Sequence, residues 1–293
     1  MCCPAGAEPY LAPEHTDEGN VGEVDGVRYY AVGRSSLGLL FLPDVWGWNG
    51  GRTRALADEF AQRGGLSVWV PKVLEPYQGG TDDDGLPPDF DLLTRRSEYA
   101  PAYFQGCWNP EKTLPMVLKV VDAMKAAGVV KFGVLGVCYG AWLGFHLSKA
   151  RPDQVVCGIS PHPAVHLESV AGGDALLLAA QVACPWAFFP AGDPSVDGGV
   201  GADPAIYDAE GELFRKLEEK LPGKNLTKRY REVRHGFFAR GAIKDGWKAG
   251  DGDQVRQAVA DCFADCAAFL QAHGIWKPEP SSWKFLARYC CGG

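Results

Sequence analysis

KFGVLGVCYGAWLG, residues 131–144, runs an apolar stretch into Gly136-Val137-Cys138-Tyr139-Gly140 and opens directly into Ala141, Trp142, Leu143 and Gly144. A small thiol between two glycines, where strand gives way to helix, has two readings. Either Cys138 is a buried sulfur in a glycine-rich turn that lets a helix pack closely on a sheet, or it is a nucleophile held up on a sharp strand-to-helix turn. The second reading accounts for both glycines, because such a turn strains the backbone at the nucleophile and demands small residues two before and two after it. The helix that follows would aim its free N–H groups and positive dipole end at the sulfur, favouring thiolate over thiol.

Around this turn, short apolar or β-branched runs alternate with helix-period segments. That alternation predicts an α/β fold with a mostly parallel central sheet and helices on both faces. Strands are expected at Arg28 to Val32, Leu37 to Leu42, Leu66 to Pro71, Lys131 to Val137, Val155 to Ser160, Pro185 to Ala191 and Thr227 to Val233. Helices are expected over Arg52 to Arg63, Lys112 to Ala127, the residues after Tyr139, Ile206 to Leu221 and Gln254 to Ala272. Only Gly33 to Ser36 separates the first two strands, too short for a crossover helix, so that pair is expected to be antiparallel. One domain is expected over residues 21–274, with tails at 1–20 and 275–293. The Gly-, Pro- and Asp-rich connection from Val73 to Asn109 reads equally as a functional loop and as a plain surface excursion.

Composition narrows the function classes. In 293 residues, 46% are hydrophobic and 22% charged, which suffices for a sizeable core. A net charge of -7 provides no broad basic surface for nucleic acid or anionic lipid. The most membrane-like run, Ala175 to Phe189, is interrupted by Gln181 and Pro185. With no charged-then-apolar leader, a cytoplasmic location and reduced thiols are expected for the ten cysteines. Cys262 and Cys266 share a helical stripe with Val255, Ala258, Val259 and Phe269 and read as core. The pairs Cys2-Cys3 and Cys290-Cys291 have no assigned role. No metal or cofactor is expected, and the chain is expected to be a monomer or a small homo-oligomer.

A thiol nucleophile needs an imidazole, and the imidazole needs an orienting carboxylate. Of the six histidines, His235 in RHGFFARG follows a predicted strand, and Gly236 permits a tight turn there. His162 in SPHP also ends a strand and is the rival, as base or as pocket lining; His166 is a weaker one. The acid is expected on a loop after another strand, before the base. AGDPSVD offers Asp193, the better placed, and Asp197.

In this order, PDVWGWNGGRTRALADEFAQRGG (43–65), VWVPK (68–72), GVLGVCYG (133–140), AGDPSV (191–196) and RHGFFARG (234–241) make the sequence resemble the dienelactone hydrolase family of the α/β-hydrolase superfamily. The matching segments span most of residues 25–272. Carried over position by position, the resemblance implies a Cys138, His235, Asp193 triad and hydrolysis of a lactone or small carboxylic ester. It implies an oxyanion hole from the backbone N–H groups of Tyr139 and Val45, and an accessory acid beside the thiol at Asp44. Arg240 would hold a substrate carboxylate, and Trp46 and Trp142, with Trp48 and Trp108, would line a flat pocket.

Three departures accompany the resemblance. Asp44 is an aspartate where the better-studied bacterial members carry glutamate. The loop to Arg240 is one residue longer. The family's other arginine, expected after Pro71, is replaced by Lys72-Val73-Leu74-Glu75, leaving Lys72, Arg95 or Arg96 as substitutes. Two other classes remain open at this level: a non-hydrolytic ligand-binding relative, and a thiol-redox role in which Cys138 pairs with Cys107 or Cys157.

Overall fold

In the computed structural model the apolar runs assemble into one sheet, in the order β1-β2-β4-β3-β5-β6-β7-β8. The structure describes residues 7–8, 15–91, 95, 106–241 and 251–277. The strands are β1 Asn20–Val24, β2 Val27–Val32, β3 Leu37–Leu42, β4 Ser67–Pro71, β5 Lys131–Gly136, β6 Val155–Pro161, β7 Trp186–Phe189 and β8 Leu226–Thr227. From β4 to β8 all pairings are parallel, and β1 and β2 form an antiparallel edge. This is the mostly parallel α/β architecture that the alternation predicts, in the form that the resemblance implies.

Helices cover both faces: α1 Thr53–Gly64, α2 Pro110–Ala126, α3 Tyr139–Ala150, α4 Ala175–Ala179, α5 Glu212–Lys220 and α6 Asp251–Ala272. Every residue of β3 is buried, and its period-2 alternation divides it between two cores. Leu40 and Leu42 join Val117, Val121, Leu143 and Phe145 of α2 and α3. Leu39 and Phe41 join Leu56 and Phe60 of α1 and Cys262, Phe263, Cys266 and Phe269 of α6. Cys262 and Cys266 are therefore core residues, and the six described cysteines are all buried. The terminal cysteine pairs and Arg96 lie outside the described residues.

Four expectations are corrected. β2 and β3 run in opposite directions but are not neighbours: β4 inserts between them, bonding antiparallel to β2 and parallel to β3. β1 went unpredicted because NVGEV is short, mostly exposed and weakly alternating. The strand expected to reach Val233 pairs only at Leu226–Thr227, with an isolated bridge from Tyr230 to Ala191. The helix expected over Ile206 to Leu221 splits into a 3-10 turn at Ala205–Tyr207 and α5, because the chain turns at Gly211, whose N–H bonds Asp208 O at 2.8 Å. Among the described residues no helix is long and apolar enough to cross a membrane.

Candidate active site

The carboxyl ends of the parallel strands converge on Cys138. Its backbone sits at φ 50°, ψ −114°, a conformation a non-glycine residue adopts only under constraint, and α3 begins at the next residue. The flanking glycines are required by contact: a Cβ on Gly136 would lie 2.4 Å from Gly140 O, and one on Gly140 would lie 2.0 Å from Leu42 O. The turn is bonded on both sides to the segment after β6. Cys138 N–H donates to His162 O at 3.1 Å, and Ala164 N–H donates to Cys138 O at 3.1 Å.

His162 then links Cys138 to His235. Its own φ is 39°, and its fully buried ring packs edge-on against His235, centroids 5.0 Å apart. His235 is also fully buried; its N–H donates to Gly201 O at 2.7 Å and its O accepts from Glu8 N–H at 2.8 Å. His235 Nδ1 lies 2.5 Å from Asp203 Oδ1. Asp203 is fixed in turn by Ala191, whose N–H donates to Asp203 Oδ2 at 2.7 Å while Asp203 N–H donates to Ala191 O at 2.8 Å.

The carboxylate at His235 is therefore Asp203 and not Asp193, the residue expected from sequence. Asp193 turns outward: its Oδ1 accepts from Ser195 N–H at 2.9 Å and Ser195 Oγ at 2.6 Å, and its Oδ2 pairs with Arg231. Those Ser195 bonds, with Arg231, hold its carboxyl down at about 2. Both aspartates precede proline after β7, but the chain makes a 3-10 excursion at Asp197–Gly199 and returns to the sheet only at Asp203.

A second buried ion pair stands beside the elbow. Asp44 Oδ2 meets Arg240 Nε at 2.8 Å, Asp44 Oδ1 accepts from Trp46 N–H at 2.9 Å, and the Arg240 guanidinium lies 4.3 Å from the Trp46 ring centroid. Arg240 is fully buried, and its Nη1 also donates to Glu8 O at 2.8 Å. Gly236 makes room for this, since a Cβ there would lie 2.5 Å from Arg240 Nη2. Val45 is buried on the same loop, its O accepting from Leu86 N–H at 2.9 Å. Lys72 is occupied by Asp83 at 3.3 Å and Arg95 by Gln78 at 2.9 Å, so these two of the three substitutes named for the second arginine are engaged elsewhere.

Of the expected aromatic lining, Trp108 and Trp142 form one ring cluster with Tyr139, centroids 4.9 to 5.3 Å apart. Tyr139 Oη donates to Cys107 O at 2.8 Å, and Trp142 Nε1 donates to Glu168, which His146 also engages at 2.9 Å. Trp46 and Trp48 are fully buried, with Nε1 bonds to Pro87 O and Asp82 O.

The model of the dienelactone hydrolase family matches residues 25–274. The chain belongs to that family. No curated protein matches it significantly in sequence. Among solved structures, the dienelactone hydrolase from Anabaena variabilis superposes with a TM-score of 0.54 at 14% identity, covering 88% of this chain and 97% of its own. The Pyrococcus furiosus esterase Pf2001 gives 0.52 at 11%, covering 92% and 99%. TT1662 from Thermus thermophilus gives 0.58 at 12%, covering 88% and 98%. At these identities the likeness is one of fold.

Further polar groups of this dienelactone hydrolase family member surround the site. Tyr207 is fully buried; burial, together with the nearby Asp203 carboxylate, pushes its phenol well up, so it stays protonated. The backbone N–H of His166 donates to Tyr207 Oη at 3.0 Å, leaving the phenol hydrogen for His166 Nδ1 at 2.7 Å. Burial pushes the His166 imidazole down to about 4, so it is neutral at pH 7. Asp84 is fully buried, and accepts from Trp48 N–H at 2.8 Å and Leu74 N–H at 2.8 Å; burial raises its carboxyl to about 7 against the pull of those donors and of Lys72. No cluster of metal-ligating side chains occurs among the described residues. Asp203, Asp84 and Tyr207 were missed from sequence, and His166 was named there only as a weaker candidate base; a second Asp-Pro step was the one available signal.

Proposed function

We propose that the protein hydrolyses a lactone or small carboxylic ester through a covalent thioester on Cys138, with His235 as base and Asp203 as the carboxylate that orients it. The observation that carries this is the buried His235–Asp203 bond, joined through His162 to an elbow cysteine at positive φ.

With Nδ1–H donated to Asp203, the His235 tautomer leaves Nε2 as the proton acceptor. Nε2 takes the thiol proton as Cys138 Sγ attacks the carbonyl carbon, and the backbone N–H groups of Tyr139 and Val45 receive the oxyanion, a contribution of about 3 kcal/mol per donor in comparable sites. The carbon–oxygen bond breaks, the leaving oxygen takes the proton back from His235, and the acyl group stays on sulfur. Water then gives its proton to His235, attacks the thioester and releases the acid and the thiolate. In a lactone the leaving oxygen remains on the same molecule, so the product is a hydroxy acid or, from an enol lactone, a keto acid.

Asp44 is the accessory acid of this scheme, and Arg240 is the cation for a substrate carboxylate. A carboxylate-bearing substrate would have to exchange with the Asp44–Arg240 pair. An uncharged ester would leave that pair intact. The reading is tested with purified wild type and Cys138→Ala on lactones and aryl esters, each with and without a carboxylate. Wild type is expected to turn over and to show an acyl-sized mass increase on Cys138 when quenched, while Cys138→Ala keeps the fold and loses activity to background. A Cys138→Ala protein with wild-type turnover would overturn it. Tight binding without turnover or adduct would favour the ligand-binding class.

A further inference from the structure

The backbone carrying His235 and Arg240 makes a helical turn between Arg234 and Gly241. Phe237 N–H bonds Arg234 O at 3.0 Å, and Ala239 and Arg240 N–H bond Gly236 O at 3.1 and 2.7 Å. A turn of this kind leaves its last carbonyls needing donors from outside. Here one residue, Arg52, supplies them for five consecutive carbonyls. Its Nη2 donates to Phe237 O and Arg240 O, its Nε to Phe238 O at 3.3 Å, its Nη1 to Gly241 O at 2.6 Å, and its backbone N–H to Ala239 O at 2.7 Å. Arg52 is 3% exposed. The approach is close enough to require glycine beforehand, since a Cβ on Gly51 would lie 2.1 Å from Ala239 O.

We propose that Arg52 is a positioning residue that, through the carbonyls of residues 237–241, fixes His235 and Arg240 against the elbow. The inference rests on the reading of His235 as base and adds a residue that reaches it only through backbone. The His235 end of the loop is already held by Gly201 and Glu8. Gly236 at φ 97° and Gly241 at φ 85° are the permissive points of the rest of the loop; the Arg240 side chain is anchored on Asp44 and Glu8, and the fork holds the backbone that carries it. Lysine keeps the charge but presents its donors from a single point, so it cannot span carbonyls that Nε, Nη1 and Nη2 reach separately. Loss of the fork therefore misaligns both functional side chains while leaving their chemistry unchanged.

The experiment compares Arg52→Lys, Arg52→Ala and wild type for kcat and KM on an aryl ester, for the pH profile of kcat, for thermal unfolding, and for the low-field proton resonance of the His235–Asp203 bond, which needs no substrate. In Arg52→Lys, kcat is expected to fall about 10- to 100-fold, the cost of ångström-scale misplacement. KM should stay within about threefold. The low-field resonance should broaden or shift, and free guanidinium should restore part of the activity of Arg52→Ala but not of Arg52→Lys. Wild-type kcat with an unaltered resonance in Arg52→Lys would overturn the proposal. So would a loss of activity that merely tracks the unfolded fraction while the folded remainder keeps the wild-type resonance. If wild type itself hydrolyses nothing, the proposed function falls, and the resonance comparison still decides whether Arg52 holds His235.

Discussion

Asp193 and Asp203 present the same local chemistry, an aspartate before a proline after β7, and their surroundings separate them. Asp193 is tied to Ser195 and Arg231 near the surface, whereas Asp203 is 1% exposed and bonded to the imidazole. Asp203→Asn offers His235 an amide in place of a carboxylate and disturbs its tautomer, so kcat should drop by up to about 10⁴-fold. Asp193→Asn should leave kcat within about twofold, as expected of a surface change. Ester hydrolysis by the two purified variants checks this; equal losses would mean that the acid loop rearranges during turnover. Cys138 and His235 were legible because a strained turn and a tight post-strand loop each leave glycines at fixed offsets. Asp203 was not, because nothing local records how far a chain wanders before it returns to a sheet.

Element by element, what the sequence revealed was period, and what it hid was adjacency. The alternation in β3 and the helical stripe in α6 were readable because burial on two faces dictates residue type directly. The insertion of β4 between β2 and β3 was not, because both orders bury the same residues. The loops at the strand ends also carry two titrations of opposite sign. Asp84 pins the loop bearing Val45 and Trp48 to Leu74, and its carboxyl moves from 3.8 to about 7 on folding, through burial. A raised acid contributes stability that is complete below its unfolded value, so this part is lost as pH rises from about 4 to about 7. His166 moves from 6.5 down to about 4, so its part is complete above 6.5 and lost as pH falls toward 4. The two slopes partly cancel in the wild type, and single variants separate them. Denaturant unfolding from pH 4 to 8 should show Asp84→Asn gaining on wild type as pH rises, and His166→Gln gaining as pH falls. Asp84→Asn should nonetheless be the less stable protein at low pH, because an amide can accept from only one of the Trp48 and Leu74 N–H groups. Parallel curves for Asp84→Asn and wild type would show that Asp84 does not titrate in this window.

At the scale of the whole molecule, the chain outside residues 21–274 contributes to both cores. Glu8 bonds the His235 loop and Arg240, and His15 Nε2 and Glu18 N–H bond the buried Asp58 at 2.7 and 3.0 Å. At the other end, Ile275 is fully buried and Trp276 is 8% exposed. The Trp276 ring meets Phe60 and Phe263 edge-on, each with centroids 6.0 Å away, and it occupies the space above Gly64, where a Cβ would lie 2.6 Å from its ring. Lys277 N–H closes the contact on Gly64 O at 3.2 Å. Composition does not disclose this, because one tryptophan after a Gly274 turn reads as the start of a tail. Its burial ties α6 to α1, the helix that begins beside Arg52. Trp276→Ala should therefore destabilise the protein by about 3 kcal/mol or more, as large aromatic truncations in a core do. For a chain of this size that corresponds to a fall in Tm of roughly 5 °C or more. Activity at 25 °C should survive in the folded fraction, because the contact lies at the C-terminal end of α1, whereas Arg52 precedes its N-terminus. Calorimetry and ester hydrolysis on the same preparation check both halves: an unchanged Tm would remove Trp276 from the core, and a lost kcat at full folding would show that α1 transmits its packing to Arg52.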